Sequence, residues 1–110
     1  MNIVERFSNH LIQVEYPTKQ EHWNIAGILK NKSNQHLKFD VRGMSRLPEG
    51  LLSKRGYTAT KADKMVFETD KEWIILDIPE IHKYLKRRKK RVIYLDNLIE
   101  ELEWSMYLPK

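Results

Sequence analysis

Cysteine is absent from this 110-residue chain, and several other features that would narrow its function are missing too. Without cysteine there is no disulfide and no thiolate-bound zinc, which favours a cytoplasmic protein. No apolar run approaches the roughly 18 residues of a membrane span. The opening stretch MNIVERFSNH lacks the basic-then-apolar pattern of a secretion signal. We therefore expect a cytoplasmic protein that does not enter a membrane.

Two common catalytic signatures are also missing. There is no glycine-rich phosphate loop, and no serine lies in a nucleophile elbow. The histidines are scattered without the spacing of metal ligands, at positions 10, 22, 36 and 82. We therefore expect each histidine to lie at the surface or to serve the structure.

The composition is that of one globular domain spanning residues 1–110. Hydrophobic residues make up 41% of the chain and charged residues 32%, so the chain is neither disordered nor membranous in type. The formal charge is +5 and the isoelectric point is near 9.5. A basic chain favours an anionic partner, and nucleic acid is the first candidate.

The N-terminal half predicts a helix followed by a hairpin. Apolar residues at helical spacing predict a helix over 3–11. Residues 22–29 and 36–44 read as two strands, and the polar stretch between them predicts a turn. Residues 45–56 contain one proline and two glycines and are expected to form a loop.

The next segment predicts a second pair of strands. Thr60, with Asp63 three residues later, is expected to cap a short helical turn before a strand at 65–68. The apolar run EWIILDI, residues 72–78, is typical of a central strand that is buried on both faces.

The C-terminal part predicts two helices around a strand. Pro79 suits the start of a helix that runs to about residue 88, and residues 91–95 form a strand. Asn97 and Glu100 predict a capping box for a helix over 97–108. Its sheet-facing residues would be Leu98, Ile99, Leu102 and Met106. The whole pattern predicts an α/β (α+β) fold, with a mixed central sheet of about five strands flanked by helices.

The strand LKFDVRGM carries an unusual set of charges. Lys38, Asp40 and Arg42 alternate with apolar residues, so all three should share one face of the sheet. Two interpretations are open at this point. The charges form a solvated ion pair on a wet face, or they line a site.

The order of these elements, together with FDVR, resembles the PD-(D/E)XK nuclease-like superfamily. The stretch GYTATKADKMVF is similar to a G-[ST]-x-x-T-x-A-D-x-x-V segment found in some phage and bacterial members. The resemblance implies a restriction-endonuclease-like core and a small DNA endonuclease. In that arrangement Asp40 takes the acidic position and Arg42 the position where lysine is usual. Asn24 falls where the first aspartate is expected, and Glu5 is the additional acid of many members.

The resemblance implies that Asp40 and Asn24 hold Mg²⁺ or Mn²⁺, which activates a water and stabilises charge on the phosphate. Arg42 would grip the phosphate, although a guanidinium exchanges protons poorly. A neutral amide at position 24 removes one negative charge from such a site. Three interpretations follow: a weakened nuclease, a nuclease whose aspartate was replaced, or a former nuclease kept for binding.

Each of these residues also has a structural interpretation. Asp40 and Arg42 can be a plain ion pair, Asn24 a turn or capping residue, and Glu5 an ordinary surface glutamate. Asp63 is interpreted as a cap rather than a ligand, and Lys61, just before it in the sequence, is a candidate to reach the same site as Asp40.

The stretch KYLKRRKKR, residues 83–91, has seven basic residues in nine. Such a run suits salt-dependent contact with phosphates, and the alternative is a solvated helix end. The predicted nucleic-acid contacts are Lys38, Lys61, Lys86, Arg87, Arg88, Lys89, Lys90 and Arg91.

Three function classes remain open. The first is a metal-dependent nuclease acting on DNA, for which a homodimer would allow both strands to be cut. The second is a non-enzymatic nucleic-acid-binding or inhibitory module on the same fold. The third is a protein-interaction domain that binds no nucleic acid. Chelation separates the first two, because binding alone should survive it. The third class predicts that raising the salt concentration has no effect on partner binding.

Overall fold

The computed structural model describes residues 2–19, 21–32, 34–43, 51–53, 60–87 and 92–110. Of residues 51–53, 92–94 and 96 only the backbone is described. These ranges contain three helices, α1 (Ile3–Ser8), α2 (Ile78–Arg87) and α3 (Leu95–Glu101). They also contain eight strands: β1 (Leu11–Glu15), β2 (Ile25–Leu29), β3 (Leu37–Gly43), β4 (Leu51–Ser53), β5 (Lys64–Glu68), β6 (Glu72–Asp77), β7 (Val92–Tyr94) and β8 (Ser105–Pro109).

Six of the strands form one mixed sheet in the order β1-β2-β3-β5-β6-β8. Its pairs are antiparallel except β3 and β5, which run parallel with Phe39 opposite Lys64. Strands β4 and β7 form a separate antiparallel pair. The predicted α+β class with a mixed sheet is confirmed, and the sheet has one strand more than the five expected.

The sheet has an inner face covered by α1. The Phe7 ring lies 5.2 Å from that of Phe39 and 5.3 Å from that of Trp73, between centroids. Leu11 on one edge strand and Leu108 on the other belong to this same buried cluster. The sheet therefore curls around Phe7, because its two edges must approach each other to share one core.

The outer face is covered in part by α2 and α3. Ile81 and Leu85 of α2 and Leu98 of α3 are buried in one cluster with the outward side chains of β5 and β6, namely Met65, Phe67, Ile74 and Leu76. The inward side chains of β6, Trp73 and Ile75, are buried in the inner cluster. Strand β6 is therefore buried on both faces, as its apolar run predicted.

The hairpin of β2 and β3 is confirmed, with Ile25 opposite Phe39. The strand predicted at 65–68 is β5, and the strand predicted at 91–95 is confirmed over Val92–Tyr94. The helix predicted from Pro79 is confirmed as α2. Its cap is Asp77, whose Oδ2 accepts the Glu80 N–H at 3.2 Å.

The helix predicted over 3–11 is wrong at its C-terminal end. Asn2 caps α1, which ends at Ser8, and Leu11 already belongs to β1. Burial explains the difference, because Leu11 reaches the inner cluster from a strand as well as it would from a helix. The loop predicted over 45–56 contains strand β4, and its other residues lie outside the described ranges.

The helix predicted over 97–108 is confirmed up to Glu101 and is wrong beyond it. Helix α3 starts before Asn97 and ends at Glu101, and the following residues form β8, which pairs with β6. Leu98, Ile99 and Leu102 pack on the outer cluster as predicted, whereas Met106 packs on the inner one. Residues 105–109 form a strand instead of the predicted helix because pairing with β6 satisfies the backbone hydrogen bonds of β6.

A three-residue ion network joins α1 to the end of β8. Arg6 donates to both Glu68 oxygens, at 3.0 and 2.8 Å, and the Lys110 ammonium lies 2.9 Å from the same carboxylate. The hydrogen bond from Arg6, followed by that from Lys110, lowers the pKa of Glu68 to about 2, although burial opposes the shift. A carboxyl pKa below its ordinary value means that the folded state gains stability from the ionised form.

We expect Glu68→Gln to lower the free energy of unfolding by about 1 kcal/mol near neutral pH, allowing for screening by water. The wild-type advantage should be complete above pH 4.5 and should vanish as the pH falls from 4.5 to about 2. Urea unfolding at several pH values measures this. Glu100→Gln, at an exposed position on α3, is the matched control. A Glu68→Gln deficit that is the same at all pH values would contradict the assignment.

Candidate nucleic-acid interface

The three charges of β3 lie on the outer face of the sheet, as predicted from their alternation. Phe39 and Val41 are buried in the inner cluster, so Lys38, Asp40 and Arg42 point the other way. On the neighbouring strand Met65 is the register partner of Asp40. These charges therefore stand beside the apolar outer cluster, which explains why the Asp40 side chain is only 13% exposed.

Asp40 and Arg42 form a bidentate ion pair with each other. The guanidinium Nε donates to Oδ1 and Nη2 donates to Oδ2, both at 3.1 Å. Two parallel charge-assisted hydrogen bonds are the strong form of this interaction. The structure therefore brings these two residues together, and in it both Asp40 oxygens face Arg42.

Asn24 continues the pairing of β2 with β3 beyond the start of β2, using its side chain as well as its backbone. Its N–H donates to the Phe39 carbonyl at 2.9 Å, and its Oδ1 accepts the Val41 N–H at 2.6 Å. The amide oxygen thus takes the place of a strand carbonyl just before β2 begins. Asn24 is followed by a strand and caps no helix, and its two bonds make it a close neighbour of Asp40 across the hairpin.

Glu5 lies on the other side of the sheet. Asn2 caps α1, since its Oδ1 accepts the Glu5 N–H at 2.9 Å, and the Asn2 side-chain amide donates to Glu5 Oε1 at 3.2 Å. Because α1 covers the inner face, Glu5 is not brought together with Asp40.

The residues predicted to hold a metal fit one poorly. Mg²⁺ takes oxygen ligands, and the set offers one carboxylate engaged by Arg42 and one amide oxygen engaged by Val41. Among the described residues there is no group of three or more His, Cys, Asp or Glu side chains arranged to hold an ion.

Lys38 and Lys61 are exposed near the start of β5. Asp63 makes two hydrogen bonds with the Lys38 backbone. The Lys38 N–H donates to Asp63 Oδ2 at 2.9 Å, and the Asp63 N–H donates to the Lys38 carbonyl at 2.8 Å. The Lys38 ammonium lies 5.4 Å above the Trp23 ring. The Lys61 N–H donates to the His22 carbonyl at 3.0 Å. The backbones that carry both lysines are thereby fixed to their neighbours.

The helical turn predicted before β5 is wrong. The Thr60 hydroxyl oxygen accepts the Ala62 N–H at 3.2 Å, which is a local turn rather than a helix cap. Asp63 bonds to β3 instead of to a helix, because the parallel pairing brings the two strand starts side by side.

The cations of α2 stand on its solvent face. Ile81, Tyr84 and Leu85 are buried, while Lys83, Lys86 and Arg87 are exposed. None of these three cations forms an ion pair with a residue in the described part of the chain. The predicted contacts Arg88, Lys89, Lys90 and Arg91 lie outside the described residues.

The sequence analysis did not predict the glutamates that lie close to the cations of α2. A cleft beside α2 is lined by Glu80, Lys83, Lys86, Arg87, Glu101, Leu102 and Glu103. The Glu103 N–H donates to Glu80 Oε1 at 2.9 Å, which ties the chain after α3 to α2. The described charges of the cleft therefore balance, with three glutamates and three basic residues.

No family model, curated protein or solved structure matches this chain. The resemblance to PD-(D/E)XK nucleases stays a prediction. No helix in the described ranges is long and apolar enough to cross a membrane.

We expect the Asp40–Arg42 pair to contribute to stability. A double-mutant cycle with Asp40→Asn and Arg42→Gln, followed by urea unfolding, should give a favourable coupling of about 0.5–1 kcal/mol. The reason is the bidentate geometry beside an apolar cluster. A coupling indistinguishable from zero would contradict a structural role for the pair.

Proposed function

We propose that this chain binds nucleic acid through the basic surface of α2 and that it catalyses no reaction on the nucleic acid. One observation carries the proposal: Lys83, Lys86 and Arg87 are exposed and lack acidic partners among the described residues. In the sequence they lead directly into four further basic residues, 88–91.

Phosphate contact is the physical use that this surface fits best. Cations near the end of a helix complement the partial negative charge there. Each phosphate that they neutralise releases condensed counterions, so the affinity depends on salt and little on sequence. The acidic residues of the cleft would oppose binding, and a polyanion must therefore be held mainly by the α2 end and residues 88–91.

Lys38 and Lys61 are proposed as a secondary contact. Both side chains are exposed and both backbones are fixed, so binding has to order the side chains but not the backbone. Arg42 is a weaker candidate because its guanidinium already pairs with Asp40.

A metal-dependent DNA nuclease with a restriction-endonuclease-like core is the second candidate. It is favoured by the adjacency of Asp40 on β3 and Asn24, which lies just before β2. With it we retain as proposals Mg²⁺ or Mn²⁺ as cofactor, DNA as the nucleic acid, a cytoplasmic location and a homodimer. We assign no catalytic step to these residues, since their oxygens are engaged within the protein.

We expect Lys83→Gln/Lys86→Gln to weaken binding of a labelled DNA duplex severalfold. A plot of log affinity against log salt should lose about 0.9 of slope for each contact removed. Fluorescence anisotropy over a range of salt concentrations measures both.

Lys19→Gln/Lys71→Gln is the matched control, because it removes the same charge from exposed positions elsewhere. If both double variants weaken binding equally, the α2 surface is not a specific contact, and the binding depends only on the net charge of the chain. A wild-type chain that binds no nucleic acid at low salt would overturn the proposal and favour the protein-interaction class.

Chelation separates the two candidate functions. We expect binding to persist in EDTA, and we expect no cleavage of plasmid or branched DNA with Mg²⁺ or Mn²⁺. If the wild-type chain cuts and Asp40→Ala does not, the nuclease assignment is correct. If the wild-type chain does not cut and the Asn24→Asp variant does, Asn24 and Asp40 form a nuclease site that the Asn24 amide has inactivated.

A further inference from the structure

A second cleft opens where the two edges of the curled sheet approach each other. It encloses about 400 Å³ between the turn that follows β2 and the end of β8. Its lining residues are Asn9, His10, Leu29, Lys30, Asn31, Lys32, Leu108 and Pro109. We call this the seam cleft. Its volume lies within the range of small-molecule sites, roughly 300–1,000 Å³.

The seam cleft differs from the α2 cleft in its charges. Lys30 and Lys32 supply two cations, and Asn9 and Asn31 supply side-chain amides. No described residue in its lining is a carboxylate, whereas three glutamates line the α2 cleft. Cations and N–H donors without competing acids are the donor set that recognises an anion.

The cationic side of the seam cleft is held in place by hydrogen bonds. The Lys30 ammonium donates to the Asn9 carbonyl at 2.8 Å, and its backbone N–H donates to the His10 carbonyl at 2.9 Å. The Lys32 N–H donates to the Leu29 carbonyl at 3.3 Å, across the turn where Asn31 has φ 59°. A fixed turn lowers the entropy cost of gathering these donors around a ligand.

The remaining lining residues are apolar apart from one imidazole. The His10 ring lies 6.2 Å from both the Phe7 and the Trp73 rings, between centroids. Burial first and the nearby Lys30 second lower the pKa of His10, so the ring is neutral at pH 7 and retains one N–H donor. Leu29, Leu108 and Pro109 complete a surface suited to the uncharged part of a ligand.

A larger cleft continues around the same turn. It encloses about 620 Å³ and shares Leu29, Asn31 and Lys32 with the seam cleft. Its remaining lining residues are Ile12, Gln13, Ile28 and Asn34, which again include no carboxylate. Lys32 thus lines both clefts, whose described lining residues include no carboxylate, and can serve a ligand that extends from one into the other.

We infer that the seam cleft binds the phosphate group of a nucleotide-like ligand, with Lys30 and Lys32 neutralising the phosphate. The amides of Asn9 and Asn31 donate to its oxygens, and the apolar wall contacts the attached sugar or base. The phosphate can belong to a free nucleotide or to the end of a nucleic-acid strand. This inference stands on its own lining residues and does not depend on the α2 surface.

The test is an NMR titration of the ¹⁵N-labelled full chain with inorganic phosphate, AMP, adenosine and a 5′-phosphorylated dinucleotide. We expect AMP to shift the resonances of His10 and residues 30–32 saturably, and adenosine to leave them unchanged. If AMP and the dinucleotide bind equally, the ligand includes strand ends. If AMP alone binds, the ligand is a free nucleotide.

Variants separate this inference from the proposed function. Lys32→Gln should weaken AMP binding at least fivefold, while Lys71→Gln and Lys83→Gln/Lys86→Gln should leave it unchanged. Lys32 is chosen because its side chain makes no hydrogen bond or ion pair within the described residues, so its loss should not disturb folding. No saturable shift, equal shifts with adenosine, or equal weakening by Lys71→Gln would overturn the inference.

Discussion

The parallel pairing of β3 with β5 is the constraint on which the rest of the structure depends. It joins the N-terminal hairpin to the strands that carry the C-terminal half, and Asp63 secures its start by bonding to Lys38. It also sets Asp40 beside Met65, at the border of the outer apolar cluster. A carboxylate in that position needs a partner, and Arg42, two residues along on the same face, provides it.

The same arrangement separates two kinds of cationic surface. Strand β6 ends at Asp77, whose carboxylate caps α2 and thereby directs a basic helix across the outer face. The cations of α2 are exposed but have glutamates nearby. At the seam, Lys30 and Lys32 line one cleft in which no described lining residue is an acid. A polyanion fits the first surface, and a small anion fits the second.

Much of the fold could be predicted from the sequence, since the hairpin, β5, β6 and α2 carry strong local patterns. Strand β8 could not, because Met106 continues the helical spacing of Leu98 and Leu102, and only the pairing with β6 decides for a strand. The Asp40–Arg42 pair follows from strand alternation. The bond from Val41 to Asn24 and the approach of Glu103 to Glu80 depend on tertiary contacts that no local pattern encodes.

The most direct test of this account is to map where nucleic acid contacts the chain. A short DNA duplex would be added to the ¹⁵N-labelled protein in EDTA, and the amide shifts of every assigned residue would be followed. The account predicts that the largest shifts fall on Lys83–Arg87 and the basic residues after them, and that added salt reverses them. Shifts centred on Asn24 and Asp40 that appear only with Mg²⁺ would contradict it.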